Sequence, residues 1–231
     1  MDINQSAFTR DYSHVVNIDL KLFANSPRLI HQSYPDAKII IMLRNPVTRA
    51  FSHYLMNVRL GKTLQKDFIS ELQRDEASEK KGWGANHQYL PIGLYYQQIK
   101  RIYEIYPAEQ VLLCRFEDYK QDGAALISSI YRFLGVKDDI ETDTSEQFNI
   151  AGVARLKTLN YLINQIGLLD WRKRQFPINW CEPFKKCLYA TGKQVIPVMS
   201  VAEKQFLINY YREYIVKLGT LLNKDLGHWL N

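Results

Sequence analysis

The sequence predicts an α/β protein whose parallel sheet is built from strands that are each followed directly by a helix. Two segments, residues 37–44 and 109–119, have the apolar character of strands that are covered on both faces. After each of these segments in the sequence, apolar residues recur with the spacing of an amphipathic helix. Because the connections are short, these strand–helix pairs favour parallel strands joined by right-handed crossovers.

The first strand and its helix are expected to meet at a tight turn. The strand segment "AKIIIMLR" ends at Arg44, Asn45 suits a helix N-cap, and Pro46 suits the first helical position. The following apolar residues have the spacing i, i+3, i+4, i+7, i+8 and i+11, which predicts one buried helix face made of Val47, Ala50, Phe51, Tyr54, Leu55 and Val58. Ser52 is therefore expected on the polar side of this helix.

The alternation of strand and helix continues along the chain. The expected elements are a polar loop around residues 74–88, a helix over 92–107, a strand with a polar exit over 109–119 and a helix over 123–136. Pro107 and Gly135 are suited to stop the two helices. Ser200 and Glu203 form a capping box, which predicts that a long C-terminal helix begins there.

Length and composition are consistent with one domain over residues 1–231. Hydrophobic residues make up 46% of the chain, a normal share for a protein that buries a core. The sequence has no repeat, low-complexity segment or Gly/Ser linker that would mark a boundary. The net charge of +6 favours an anionic ligand, but no recognised nucleic-acid-binding motif accompanies it. A nucleic-acid partner is therefore not expected.

Cysteine, histidine and apolar-segment patterns lead to further expectations. The three cysteines form no CxxC pair, which favours a reducing compartment. The first residues contain no apolar segment of signal-peptide length, and no run approaches the roughly 20 apolar residues of a membrane span. The five histidines show no paired spacing for a metal. We therefore expect a cytoplasmic protein with no membrane segment and no bound metal.

Arg44 and Ser52 form the candidate anion site. In an open parallel sheet, ligands bind beyond the carboxyl ends of the strands, and Arg44 stands at such an end. The helix N-terminus that follows favours negative charge, and a guanidinium matches the geometry of phosphate oxygens. Ser52 can add a hydroxyl from the same helix. From the residues alone, an ordinary Arg and Ser at a solvated turn stays open as the alternative.

The spacing of these residues constrains how one phosphate could bind. Ser52 is six residues beyond Pro46, which places it roughly 9 Å along the helix axis. One phosphate cannot contact both the first helix amides and Ser52. If Ser52 is a ligand, the phosphate must lie along the flank of the helix, and Arg44 must extend to it. Arg49 and His53, which flank Ser52, are expected to be solvated.

The segment "RNPVTRAFSHY" resembles the 3'-phosphate-binding segment of sulfotransferases that use 3'-phosphoadenylyl sulfate (PAPS). It is most similar to the heparan-sulfate-type and bacterial carbohydrate branch. In that family, an Arg at a strand end and a Ser eight residues later bind the donor's 3'-phosphate, positions that Arg44 and Ser52 match. Further similarity, in "FLGV", "FNIAGVARLKTLN" and the final helix, extends it over about residues 35–231. The resemblance implies the P-loop-NTPase-like sulfotransferase fold.

The resemblance also implies a reaction and further candidate residues. It implies transfer of a sulfuryl group from PAPS to a hydroxyl or amine of an acceptor, a carbohydrate or other small molecule, leaving 3',5'-ADP, without a metal. Lys193 is similar to a family lysine that contacts donor phosphates. Gln88 and Tyr95 lie where the adenine and the acceptor approach. Cys181 and Cys187 lie where animal members have a disulfide, but two free thiols are expected here.

One family segment has no counterpart in this chain. The family begins with a strand and a "KxGTT"-like loop whose amides surround the 5'-phosphosulfate. The only similar letters, "GKT" from Gly61, follow a predicted helix, and Met56 stands where a P-loop needs glycine. "VVNIDLKLFANSP" gives only a loose match of Asp19 and Lys21 to family residues near the reaction centre. The catalytic residues are therefore unknown.

The missing segment leads to two expectations. Without the strand that would pair with it, "AKIIIMLR" would leave backbone groups unpaired, each costing about 1–3 kcal/mol if buried. We therefore expect an N-terminally truncated sulfotransferase domain, or a sheet that a second chain completes. The alternative function is a non-catalytic remnant or partner subunit that binds a 3'-phosphonucleotide or an anionic glycan.

Overall fold

The computed structural model of the chain describes residues 26–64, 67–78, 88–137, 161–162 and 197–231. The chain divides into two compact units. The first unit comprises Met1–Asn45, Leu94–Gln147 and Arg212–Asn231, and the second comprises Pro46–Gly93 and Phe148–Tyr211. The expectation of one domain over residues 1–231 stays a prediction.

The described residues form two strands and a larger number of helices. The helices include α1 (Ser26–Ser33), α2 (Pro46–Arg59), α3 (Phe68–Ala77), α4 (Tyr95–Tyr103), α5 (Phe116–Gln121), α6 (Gly123–Leu134) and α7 (Val201–Leu222). The strands are β1 (Ile39–Leu43) and β2 (Val111–Arg115), and short 3-10 turns lie at Pro91–Gly93, Ala108–Gln110 and Gly227–Leu230. Within these residues, none of the helices combines the length and the apolar character that crossing a bilayer requires.

The two predicted strands pair in parallel in the first unit. Ile39 stands opposite Val111, and the register continues to Leu43 opposite Arg115. This pairing and the helices around it confirm the expected α/β character. The expectation that the chain is truncated, or that a second chain completes the sheet, stays a prediction.

The second strand runs directly into a helix. The residues that the sequence assigns to a polar strand exit instead form the first turn of α5, where the helix dipole favours Glu117 and Asp118. The Arg115 guanidinium donates two hydrogen bonds to the Asp118 carboxylate, at 2.6 and 3.0 Å. These bonds hold the pKa of Asp118 below its usual value. They also fix the junction between β2 and α5.

One hydrophobic cluster organises the described part of the first unit. Its buried members come from the two strands, from the residues just before β1, and from α4 and the turn after it: Ala37, Ile39, Ile102, Tyr106 and Val111. The Tyr106 hydroxyl donates a hydrogen bond of 3.0 Å to the carbonyl oxygen of Pro27. Because the Tyr106 side chain is buried, this bond both satisfies its polar atom and fastens the start of α1 to the cluster.

The apolar face of α2 organises the second unit. Val47, Ala50, Tyr54, Leu55 and Val58 are buried, as their helical spacing predicts. The sixth position of that face, Phe51, is half-buried, and its ring contacts the ring of Phe68 in α3, with centroids 5.2 Å apart. Burial raises the pKa of Tyr54 to about 12, so its phenol stays protonated at physiological pH.

Helix α3 corrects one expectation. Asp67 caps its start by accepting a hydrogen bond of 2.7 Å from the Ser70 amide, and Phe68 and Leu72 are buried one turn apart. The helix continues to Ala77, so its last turn occupies the beginning of the expected polar loop. The buried apolar pair outweighs the polar composition from which a loop was inferred.

The predicted helix ends are largely confirmed. Ser200 and Glu203 exchange the two bonds of a capping box at the start of α7, at 2.6 and 3.3 Å. Gly135 ends α6 with a φ of 78°, a left-handed conformation that favours glycine. Helix α4 is shorter than the expected 92–107, because a 3-10 turn at Pro91–Gly93 precedes it.

Candidate functional site

Arg44 lies just beyond the carboxyl end of β1, in the first unit. Its guanidinium carbon is 5.1 Å from the centre of the Phe116 ring, at the start of α5. The Lys120 ammonium is 5.2 Å from the centre of the same ring. An aromatic face attracts a cation at such a distance, so Phe116 holds two positive groups near the end of the strand. This arrangement is suited to an anionic ligand.

The backbone amide at this strand end already has an acceptor. The Asn45 amide donates a hydrogen bond of 3.2 Å to Glu117 Oε1. The Asn45 side-chain amide donates to the carbonyl oxygen of Trp229 at 3.4 Å. Because Glu117 brings a carboxylate to this amide, a phosphate placed here would face like charge. Glu117 thus occupies the Asn45 amide, and the position of an anion near Arg44 stays a prediction.

Ser52 belongs to the second unit. It lies in the middle of α2, outside the buried face of the helix, and its side chain is half-buried. Arg44 and Ser52 thus belong to different units. The expectation that they bind one phosphate together stays a prediction.

The residues beside Ser52 contact Tyr89, which the sequence did not indicate. Arg49 donates a hydrogen bond to the carbonyl oxygen of Tyr89, and the His53 ring lies 4.8 Å from the Tyr89 ring. One turn further, Asn57 Nδ2 donates to the Tyr89 hydroxyl at 2.7 Å. The expectation that Arg49 and His53 are simply solvated is therefore wrong, because both pack against a fully buried aromatic residue.

A buried carboxylate, Glu71, completes this cluster. Glu71 is 0% exposed and accepts four hydrogen bonds, from Thr63, from the Tyr89 hydroxyl and two from the Arg74 guanidinium, at 2.9–3.0 Å. The paired guanidinium and the neutral donors compensate for burying the charge. Glu71 in turn raises the pKa of Arg74. The result is a buried carboxylate in the second unit, paired with a guanidinium whose side chain is 58% exposed.

Burial keeps the Tyr89 hydroxyl protonated. The main cause of its raised pKa is burial, the hydrogen bond from Asn57 opposes the shift, and the Glu71 carboxylate adds to it. The hydroxyl therefore accepts from Asn57 and donates to Glu71 at 3.0 Å. The Tyr89 amide also donates to Asp75 Oδ2 at 3.1 Å. Tyr89 is fixed through its backbone, its ring and its hydroxyl.

The structure places the two residues suggested for the adenine and acceptor side in different units. Gln88 is buried in the second unit, next to Tyr89. Tyr95 begins α4 in the first unit and is also buried, with its ring centre 6.4 Å from that of Trp229. Their proposed contacts with a ligand stay predictions.

The "GKT" segment has no P-loop geometry. Helix α2 precedes it, as expected, and Gly61 adopts a left-handed φ of 69° directly after that helix. Thr63 donates to the buried Glu71 carboxylate at 3.0 Å, so its hydroxyl has a structural role. No group of His, Cys, Asp and Glu able to hold a metal occurs in the portions of the chain that the structure describes.

Several candidates lie outside the described residues. They are Asp19, Lys21, Lys193, Cys181 and Cys187. The remaining cysteine, Cys114, is a buried free thiol in β2, and burial raises its pKa. Raised pKa values and burial are typical of an unreactive structural thiol.

A family model described as "Sulfotransferase domain" matches residues 6–176 of the chain. Among curated proteins, human "Heparan sulfate glucosamine 3-O-sulfotransferase 6" is 31% identical over 124 residues, which cover 54% of this chain and 35% of that protein. Human "Bifunctional heparan sulfate N-deacetylase/N-sulfotransferase 1" is 24% identical over 214 residues, covering 89% of this chain and 21% of that protein. The chain thus spans well under half the length of these relatives.

A solved structure is similar over most of the chain. The sulfotransferase from Alicyclobacillus acidocaldarius has a TM-score of 0.65 and 25% sequence identity, over 92% of this chain and 65% of that one. The expected sulfotransferase fold is therefore confirmed.

The relatives correct the expected location. A cytoplasmic location is wrong, because the curated relatives are heparan sulfate sulfotransferases, which are not cytoplasmic. The expectation rested on three cysteines and on the lack of an apolar N-terminal segment. A low cysteine count is compatible with either redox environment, so it could not decide the compartment.

Proposed function

The chain belongs to the sulfotransferase-domain family, and from that premise we propose that it transfers a sulfuryl group from PAPS to a carbohydrate acceptor. The family match over residues 6–176 is the observation that supports this proposal most strongly. The names of the relatives support a carbohydrate, since both act on heparan sulfate. One name specifies 3-O-sulfation and the other N-sulfation, so a hydroxyl and an amine both stay candidates for the attacking group.

The proposed donor site consists of Arg44 and Ser52, with Lys193 as a further candidate. The support for Arg44 is its position beyond β1, with its guanidinium over Phe116. The support for Ser52 is its position outside the buried face of α2, eight residues after Arg44. A guanidinium binds phosphate oxygens in a planar, bidentate manner, and a hydroxyl can donate a further bond.

The proposed role of these residues is anchoring. The acceptor oxygen or nitrogen attacks the sulfur of the donor in line and loses its proton, while the bond from sulfur to the 5'-phosphate oxygen breaks and 3',5'-ADP leaves. Contacts to the remote 3'-phosphate contribute binding energy that holds the donor in place for this attack. Arg44 and Ser52 are therefore binding residues, and the group that accepts the proton is not assigned.

The proposal is tested by a transfer assay. The chain is incubated with PAPS carrying radioactive sulfate and with desulfated, N-deacetylated heparan polysaccharide. We expect label in the polysaccharide, and a higher KM for PAPS in Arg44→Ala than in the control Arg101→Ala. Arg101 is a cation of the first unit that donates to the Gln97 carbonyl oxygen on the surface of α4. Label that fails to appear would contradict the proposed reaction.

A second function is a non-catalytic one. The alternative is a remnant or partner subunit that binds a 3'-phosphonucleotide or an anionic glycan, ligands that the net charge of +6 favours. Such a protein would bind 3',5'-ADP in a calorimeter and give no labelled polysaccharide. Binding together with transfer would exclude it.

A further inference from the structure

We propose that Tyr89 is a positioning residue for Ser52, through the hydrogen bonds of its hydroxyl. The inference rests on the proposed function, because it assumes that Ser52 contributes to binding the donor's 3'-phosphate. Tyr89, Ser52 and the residues that connect them all belong to the second unit.

Three residues that form one row along α2 contact Tyr89, from its backbone to its hydroxyl. Arg49, His53 and Asn57 follow one another at four-residue intervals and therefore lie on the same side of the helix. They contact the carbonyl oxygen, the ring and the hydroxyl of Tyr89 in that order. Three contacts at successive turns fix both the position of α2 along its axis and its rotation about that axis.

Tyr89 also makes two hydrogen bonds to residues of α3. Its amide donates to Asp75, at 3.1 Å, and its hydroxyl donates to Glu71, at 3.0 Å. Glu71 is in turn fixed by the Arg74 guanidinium and by Thr63. Because Tyr89 is fully buried between these partners, it transmits the position of α3 to the row on α2.

Ser52 lies outside the row that Tyr89 contacts. It follows Arg49 by three residues, which places it about 60° around the helix from that residue at 3.6 residues per turn. A rotation of α2 therefore moves the Ser52 hydroxyl sideways, and hydrogen bonds are sensitive to such displacements. Tyr89 would thus set the direction in which Ser52 presents its hydroxyl.

The Tyr89 hydroxyl is the testable part of this arrangement. Tyr89→Phe removes its bonds to Asn57 and Glu71 but keeps the ring and the backbone contacts. A purely structural tyrosine would lower the melting temperature and leave ligand preference unchanged. A positioning residue would reduce the preference for 3',5'-ADP over 5'-AMP, because only the former has the 3'-phosphate.

The experiment measures this preference by calorimetric titration of the full chain. The variants are Tyr89→Phe, Ser52→Ala, the double variant and the control Tyr106→Phe. Tyr106 is a buried tyrosine of the first unit whose hydroxyl donates to the Pro27 carbonyl oxygen. We expect Tyr89→Phe to lower the preference about threefold to tenfold, the effect of one displaced hydrogen bond. Tyr106→Phe should leave it unchanged.

The double variant separates positioning from a general loss of stability. If Tyr89 acts through Ser52, Tyr89→Phe lowers the preference no further in the Ser52→Ala background. If Tyr89→Phe does not fold, Asn57→Ser removes the bond between Asn57 and Tyr89 and leaves the bond to Glu71, with a loss of preference in the same direction. An unchanged preference in the variant that folds, or full additivity with Ser52→Ala, would overturn the inference. A wild-type chain without any preference would instead contradict the proposed donor site itself.

Discussion

The Arg44 guanidinium lies over an aromatic ring, an arrangement that restricts this long side chain before the proposed binding of the donor. Phe116 lies 5.1 Å from it and also attracts Lys120, so one ring holds two cations. Arg side chains lose much rotamer freedom when they bind, and a ring that limits this freedom in advance lowers the cost of binding. The sequence predicted that Arg44 lies at the end of a strand. It did not predict the contact with Phe116, because residues so far apart in the chain leave no local pattern.

Replacing Phe116 tests this contact. Phe116→Leu keeps an apolar side chain and removes the aromatic face, which contributes about 0.5–1 kcal/mol at an exposed cation site. We expect the affinity for 3',5'-ADP to fall about twofold to fivefold in calorimetric titration. The matched control is Phe133→Leu, since Phe133 has a similar contact with Lys38, at 5.5 Å. Equal effects of both substitutions would argue against a specific role of Phe116.

At the scale of elements, the features that depend on residues close together in the chain were predicted from the sequence. The buried face of α2, the capping box of α7 and the glycine at the end of α6 were all inferred from spacing or from single residues. The cluster around Tyr89 was not, because the hydrogen bonds of Tyr89 join residues 14 to 40 positions apart. The sequence marks such residues only as polar or aromatic. Their burial depends on which helices pack together.

The capping box gives a prediction for α7. Ser200→Ala removes the hydroxyl that accepts from the Glu203 amide, at 3.3 Å. We expect the free energy of unfolding to fall by about 1 kcal/mol, the usual contribution of an N-cap. Ser128→Ala, inside α6, is the control and should be neutral or slightly stabilising, because alanine is favoured within helices. Thermal and urea unfolding both measure the difference, and equal effects would contradict the assignment of the cap.

For the whole molecule, the predicted parallel α/β sheet and the sulfotransferase fold are confirmed, whereas the expected location is wrong. The alternation of strands and helices reports how the chain folds, because each element must bury its own apolar face. The cellular compartment depends on targeting signals. The cysteine count and the N-terminal composition, from which the location was inferred, say less about targeting than strand and helix patterns say about the fold. The net charge of +6 is consistent with an anionic donor or acceptor without identifying either.

The acid stability of the protein gives a prediction at the same scale. The Asp118 pKa lies below the ordinary value of 3.8, chiefly because of the hydrogen bond from Arg115. A carboxylate whose pKa is lower in the folded state stabilises the fold above its unfolded pKa, and this contribution disappears as the pH falls through the folded value. We expect Asp118→Asn to reduce the loss of stability below about pH 4. Unfolding curves recorded between pH 2 and 7 would show this, and identical pH profiles for both proteins would contradict it.

The most direct test of the account compares 3',5'-ADP with 5'-AMP in calorimetric titrations of the wild-type chain and of Arg44→Ala. We expect the wild type to bind 3',5'-ADP more tightly. Arg44→Ala should lose roughly tenfold to a hundredfold of that affinity, the range for a charge-assisted pair with phosphate, while its affinity for 5'-AMP changes little. Equal binding of the two nucleotides by the wild type, or unchanged binding of 3',5'-ADP by the variant, would contradict recognition of the 3'-phosphate at the end of β1.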